Sequence, residues 1–136
     1  METEYKRKID GNGRMMVPKE LVKRGFYVFY LKREELNELA LLTPLDFFVV
    51  RYDFDNKLDE NNHLDKKEKR RFRSLFYSCF YPEELDDRNR LLIPDQIRER
   101  LGMNGGDEIT LRKIRNSGII NIIYDGIYGR KNCLEN

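Results

Sequence analysis

The sequence predicts an α+β chain in which a β-hairpin followed by a short helix occurs twice. Three observations predict it. A shift of 76 positions superimposes Asp10, Arg14, Pro18 and Arg24 on Asp86, Arg90, Pro94 and Arg100, and sets Met15, Val17 and Leu21 against Leu91, Ile93 and Ile97. Each copy then runs from a short apolar stretch through proline into a helical pattern. Between the copies, an acidic segment switches abruptly to a basic one. Asp, Arg and Pro at these offsets coincide by chance on the order of once in 10⁴ starting positions at typical residue frequencies, so the repeat is real.

In the first copy, Ile9-Asp10-Gly11-Asn12-Gly13-Arg14 followed by Met15-Met16-Val17 reads as strand, tight turn, strand. Gly11, Asn12 and Gly13 tolerate the positive φ of such turns. Pro18 stops the strand and suits a first helical position, where its missing N–H costs nothing. A short helix is expected over 19–24, ended by Gly25. Phe26 to Leu31 is an apolar, aromatic strand, Lys32 to Leu42 has helical character, and Asp46 to Tyr52 after Pro44 reads as another strand.

The linking segment holds Asp53, Asp55, Asp59, Glu60 and Asp65 against Lys57. It then turns to Lys66, Lys67, Lys69, Arg70, Arg71 and Arg73 against Glu68. Phe72, Leu75, Phe76, Cys79 and Phe80 follow at i, i+3, i+4, i+7 and i+8, which predicts an amphipathic helix ended by Pro82. Asp65 is its expected N-cap, with Glu68 completing a capping box. A solvated face, or ion pairs with another subunit, accounts for the basic run more simply than a DNA-binding helix does. Phe72, Phe76 and Phe80 read as core or interface.

In the second copy, Leu85-Asp86 to Arg90-Leu91-Leu92-Ile93-Pro94 repeats the hairpin, with Asn89 in the position of Gly13. Asp95 to Leu101 is a helix that Gly102 ends. Asp107 to Leu111 alternates with period two, Asn116-Ser117-Gly118 is a turn, and Ile119 to Tyr124 is a strand. Beyond Tyr124 the chain is short and glycine-punctuated, and Cys133 falls in a loose tail.

Composition narrows the function. The chain has 136 residues, with Lys+Arg at 26 against Asp+Glu at 24, a formal charge of +2. Any attraction to nucleic acid must therefore come from local clusters. The chain is 40% hydrophobic, with 12% aromatics, which suffices for a core. No run reaches the roughly 18 apolar residues of a membrane helix, and the first ten residues do not read as a secretion signal. Cytoplasmic residence is the expectation. One histidine, His63, in a polar loop and two distant cysteines form no zinc pattern, and no Gly-rich phosphate loop is present. No catalytic residue, metal, cofactor or small-molecule substrate is expected.

The chemistry-bearing candidates lie in the doubled motif. Asp10 and Asp86 read as turn caps that accept from backbone N–H groups and pair with arginine. Arg14 and Arg90 can serve either a carboxylate or a phosphate, because the guanidinium fork fits both. Lys6, Arg7 and Lys8 run into the first motif and Arg88 sits inside the second. Arg7, Lys8, Arg14, Arg88 and Arg90 are thus the candidate DNA contacts, on a β-face of the kind that enters a groove.

These residues carry a resemblance. The doubled Asp-x-x-x-Arg-hydrophobic-Pro unit with its short helix resembles the MraZ family of the SpoVT/AbrB-like superfamily. The stretch from Arg70-Arg71-Phe72 to Arg90-Leu91-Leu92-Ile93-Pro94 is the nearest match. Gly106-Asp107-Glu108-Ile109 is a step shared with single-copy AbrB and MazE-type chains. The resemblance implies one swapped-hairpin-like β-barrel with packed helices. Its parts would be a first AbrB-like repeat over 1–52, a linker and amphipathic helix over 53–84, and a second repeat with a short tail over 85–136. It also implies homo-oligomers, including rings, and a nucleoid-associated regulator. Such a regulator binds direct repeats in promoter DNA, typically of a cell-division and cell-wall operon that includes its own gene. Arg14 and Arg90 would then face DNA, while Asp10, Asp86, Pro18 and Pro94 shape the motif. Asn89 departs from the family's usual glycine, so the second turn is expected to differ. The competing reading is an AbrB/MazE-like interaction module or antitoxin with little DNA specificity of its own.

Overall fold

A computed structural model describes residues 3–23, 25–33 and 36–124; the backbone of Arg33, but not its side chain, is among them. Arg24, Cys133 and the expected short tail lie outside the described residues. The elements are β1 (Thr3–Lys8), β2 (Arg14–Met16), a 3₁₀ turn (Lys19–Leu21), β3 (Gly25–Arg33), β4 (Leu36–Leu42), α1 (Pro44–Asp59), α2 (Lys66–Tyr77), β5 (Phe80–Glu84), β6 (Arg90–Leu92), α3 (Asp95–Leu101), β7 (Glu108–Lys113) and β8 (Ile120–Tyr124).

Six strands form one antiparallel sheet in the order β1-β7-β8-β4-β3-β5, and β2 pairs with β6 in a separate ribbon. This order reads the same from either end when the copies are exchanged. β1 on β7 matches β5 on β3, and the hairpin β7–β8 matches β3–β4. A pseudo-two-fold axis therefore passes between β4 and β8 and through the ribbon, where Met15 sits opposite Leu91, residues that the 76-residue shift also superimposes. The two copies interlock, since each outer strand adds to a hairpin of the other copy. The α+β class holds. The six-stranded sheet, however, is open between its β1 and β5 edges, so the described strands do not close a hydrogen-bonded barrel.

The sheet is buried on both faces. One face carries Val28, Leu39, Leu41, Ile109, Leu111 and Ile122, which pack on Met15, Leu91, Ile93 and Ile97 of the ribbon and α3. The other carries Ala40, Leu42 and Phe80 against Phe47, Val50 and Phe76 of the two long helices. The rings of Tyr27 and Phe47 stack at 3.8 Å, and those of Phe54 and Phe76 at 3.9 Å.

Several expectations are corrected. The strands flanking each Asp turn do not pair with each other as a hairpin: β1 pairs with β7, β5 with β3, and β2 with β6, because beyond the turn-closing hydrogen bonds (Asp10 N to Arg14 O, Asp86 N to Arg90 O) the chain crosses to the other copy. Lys32 to Leu42 is not helical: β3 continues to Arg33 and β4 fills 36–42, because β4 is paired on both sides and pairing overrides the helix propensity of its Leu and Glu residues. Asp46 to Tyr52 is not a strand but lies within α1. Thr43 caps this helix by accepting from the Asp46 N–H at 3.2 Å, and Pro44 opens it. After Pro18 only one 3₁₀ turn forms, and Gly25 starts β3 rather than ending a helix. α2 has the expected capping box but stops at Tyr77, so Phe80 and Pro82 belong to edge strand β5, where a missing N–H is tolerated. Phe72 is exposed, whereas Phe76 is half-buried and Phe80 buried. Cys79 is half-buried, and burial pushes its thiol pKa up, as suits a small hydrophobe rather than a nucleophile. His63 is an exposed loop residue.

Candidate nucleic-acid interface

Each motif turn is closed by its own aspartate. Asp10 Oδ1 accepts from Asn12 N at 2.8 Å and Arg14 N at 2.9 Å, and Asp86 Oδ1 accepts from Arg88 N at 2.9 Å and Arg90 N at 2.8 Å. Gly13 N donates to Asp10 O and Asn89 N to Asp86 O. Gly13 and Asn89 take φ of 80° and 60°. The second turn therefore does not differ from the first: asparagine adopts the left-handed conformation that glycine supplies in the other copy. Gly11 does not share this conformation.

The backbone N–H of Arg14 holds the Asp10 carboxyl below the ordinary carboxylate range, against the opposing effect of burial and helped by Asn12 N–H and the Arg90 and Arg14 charges. Asp86 is lowered in the same way, first by the Arg90 N–H. Pro18 and Pro94 then occupy matching N-cap positions, with φ and ψ of −55° and 141° and of −52° and 143°.

Register places the arginines. Arg14 stands opposite Leu92 and Met16 opposite Arg90, while Met15 and Leu91 point into the core. Arg14, Met16, Arg90 and Leu92 thus share the outer face of the ribbon. The alternation in Arg-Met-Met and Arg-Leu-Leu was the signal for Met16 and Leu92 there. The two guanidinium groups are not equivalent. Arg90 Nε donates to Asp86 at 2.8 Å, and its Nη1 lies 3.6 Å from Asp10 of the other copy. Arg14 forms no ion pair among the described residues, although its charge acts on Asp10 and on Glu83, whose carboxyl is pushed up by burial.

The remaining candidates lie outside the ribbon strands. Arg88 is exposed in the second turn and Lys8 is exposed at the end of β1. Strand alternation puts Arg7 on the opposite side of β1 from Lys6 and Lys8. The Arg7 guanidinium lies 5.9 Å over the Tyr5 ring and donates to Lys6 O. The basic residues of β1 therefore do not form one face.

Arg98 of α3 went unnoticed in the sequence. Its Nε donates to Ile93 O at 2.8 Å, it pairs with Asp95, and its guanidinium covers Gly13 so closely that a Cβ there would overlap it. This arginine fastens α3 to the first turn. Chemically, the ribbon presents planar N–H forks beside apolar side chains on an exposed two-stranded surface, with the first arginine available to an acceptor.

No protein-family model matches the chain. It is 28% identical over 95 residues to the Transcriptional regulator MraZ of Finegoldia magna (strain ATCC 29328 / DSM 20472 / WAL 2508), a stretch covering 70% of this chain. The match spans 63% of that relative, less than two thirds of its length. This similarity agrees with the resemblance to MraZ proteins that the doubled motif carries.

Proposed function

We propose that the chain is a DNA-binding transcriptional regulator that recognises direct repeats in promoter DNA, including that of a cell-division and cell-wall operon containing its own gene. The observation that carries this reading is the outer face of the β2–β6 ribbon, where one pseudo-two-fold axis relates Arg14 and Arg90. A two-stranded ribbon fits the major groove, and arginine forks suit guanine edges and phosphates. The name of the Finegoldia magna relative agrees with it. Arg14 is the principal reader in this proposal. Arg90 reads with its remaining N–H groups while holding both turns, and Lys8, Arg88 and Arg7 add charge at the margins. The crossed β2–β6 pairing supports reading the fold as a swapped-hairpin relative of AbrB-like repeats. On this reading the protein is nucleoid-associated.

Self-association belongs to the same proposal. Leu45, Phe48, Val49 and Tyr52 are each more than half exposed and lie at i, i+3, i+4 and i+7 of α1, opposite the Phe47, Val50, Phe54 and Leu58 side that packs inward. A helix apolar on both sides needs a second partner, and we assign the free stripe to contact between copies in a homo-oligomer. A ring would multiply modest DNA contacts through avidity.

The test is a titration of the full chain with duplex from upstream of its own gene and with scrambled duplex, at several salt concentrations. Preference for the native duplex that persists at ~150 mM salt is expected. Arg14→Ala should weaken that binding by roughly 1–3 kcal/mol and relax the preference. Equal binding of both duplexes, lost together as salt rises, would overturn the sequence-specific reading.

A further inference from the structure

The basic face of α2 presents cations that the fold does not neutralise. Lys66, Lys67, Arg70 and Arg71 are exposed and form no hydrogen bond or ion pair among the described residues. In helical geometry Lys66 and Arg70, and Lys67 and Arg71, are i, i+4 neighbours on a continuous surface.

The acidic segment that precedes them is already engaged. Asp55 accepts from Arg73 Nε at 3.0 Å and from Tyr77 Oη at 2.9 and 3.0 Å; Asp59 accepts from Arg73 Nη2 at 2.8 Å, and its backbone carbonyl from Lys69 Nζ at 3.0 Å. Asp53 pairs with Lys57, and Asp65 and Glu68 are held in the capping box. Among the described acids between 53 and 68, Glu60 alone has no partner. The charge switch seen in the sequence is thus only partly self-cancelling, and the surplus is positive and fixed on one helix face.

Lys66, Lys69, Arg70 and Arg73 line a shallow cleft of about 340 Å³ together with Asp59. No apolar side chain lines it. Protein interfaces centre on apolar or aromatic anchors and are depleted in lysine, so this cleft lacks what would hold a peptide; the exposed Phe72 and Leu75 of α2 lie outside it. Arg73 and Lys69 are held by Asp55 and Asp59, and the Arg70 fork beside the Lys66 ammonium, with Lys67 and Arg71 next along the helix, suits phosphate oxygens instead.

We propose that this α2 face is a second nucleic-acid contact, sequence-independent, that grips the phosphate backbone of duplex DNA apart from the β2–β6 ribbon. It rests on the DNA-binding reading above. It supplies the non-specific attraction that a net charge of +2 would not otherwise provide.

The experiment measures anisotropy of a labelled 30-base-pair duplex, native or scrambled, with the full-length protein from about 50 to 200 mM salt. The variants are Lys66→Gln/Lys67→Gln/Arg70→Gln/Arg71→Gln and the milder Arg70→Gln/Arg71→Gln, both at exposed positions and checked by thermal melting. The quadruple variant should weaken both duplexes by the same factor, tenfold or more. It should also flatten the slope of log K against log salt by roughly 3.6, since each of the four lost phosphate contacts removes about 0.9. The double variant should give about half that change. Unchanged affinity and slope in a folded quadruple variant that still prefers native duplex would overturn this contact and leave the ribbon standing. Loss of self-association with intact DNA binding would assign the face to a neighbouring copy and overturn it as well. Failure of the unmodified protein to bind either duplex would overturn both readings at once.

Discussion

Arg90 of the second copy lies 3.6 Å from the Asp10 carboxylate of the first while donating to its own Asp86 at 2.8 Å. The backbone around the ribbon obeys a pseudo-two-fold, but this guanidinium does not. It spans the two turns, and Arg14, its equivalent by the 76-residue shift, has no such role. One arginine has become a clamp between repeats, which leaves the other available to an outside acceptor.

The stability effects of the two arginines should therefore differ. Arg90→Ala removes a half-buried, charge-assisted hydrogen bond and a looser cross-repeat pair, which should cost about 1 kcal/mol. Arg14→Ala removes no described ion pair and should stay within about 0.5 kcal/mol of the unmodified protein. Urea unfolding of the two variants at one pH measures the difference. Equal midpoints would remove the clamp role from Arg90.

Acid should weaken the same region. The folded-state pKa of Asp10 and Asp86 lies below the ordinary 3.8, chiefly through the Arg14 and Arg90 N–H groups. As pH falls, the unfolded chain takes up these protons first. The stability the two groups contribute is thus present above about pH 5, begins to fail near the unfolded value and is gone once pH drops below the folded values. Glu83 works in the opposite sense, because burial raises its pKa. Asp10→Asn/Asp86→Asn keeps an acceptor oxygen but not the charge, so its urea midpoint should fall less between pH 5 and pH 3. An acid limb parallel to that of the unmodified protein would place the pH sensitivity elsewhere.

The Asp turns, prolines and α3 were legible because local chemistry dictates them: Asp accepts from its own turn, Gly or Asn takes positive φ, and Pro94 and Gly102 bracket the helix; which strands pair across the turns was not, because those partners come from the other copy. The middle of the chain was not, for two physical reasons. β4 is buried on both faces and paired on both edges, so Leu39-Ala40-Leu41-Leu42 shows no alternation and carries helix-favouring residues. α1 has apolar residues on opposite sides, which blurs the 3.6-residue period, and Phe47-Phe48-Val49-Val50 favours strands locally. The start signal of α1, Thr43-Pro44-x-Asp46, stands just before this ambiguous run. In the candidate interface, sequence alone singled out Arg14 and Arg90 as candidates, but only the register revealed their shared face and only the folded turns revealed their inequality.

Gly13 and Asn89 should respond differently to alanine. Asn89→Ala keeps the fold and pays the left-handed penalty of a residue without a local polar side chain, about 1 kcal/mol. Gly13→Ala meets the same penalty, and its methyl also displaces the Arg98 guanidinium from Ile93 O. That adds about 1 kcal/mol for the lost hydrogen bond. A double-mutant cycle with Arg98→Ala isolates the second part, since removing Arg98 first leaves the methyl room. Additive effects in the cycle would show that Arg98 does not press on this turn.

The α1 stripe yields a prediction that separates assembly from folding. Phe48 is 57% exposed and, among the described residues, its ring stacks only on Tyr52 at 6.4 Å, so it contributes little to the described core. Phe48→Asp should leave monomer stability within about 0.5 kcal/mol, as expected for a surface change. It should nonetheless dissociate the proposed homo-oligomer, because a carboxylate placed between two apolar stripes would have no partner there. Phe47→Ala is the contrasting variant: it removes the ring stacked on Tyr27 and should cost about 3 kcal/mol in folding. Sedimentation velocity on both, at concentrations where the unmodified protein is assembled, reads the separation directly. An assembled Phe48→Asp protein would move the subunit contact off α1.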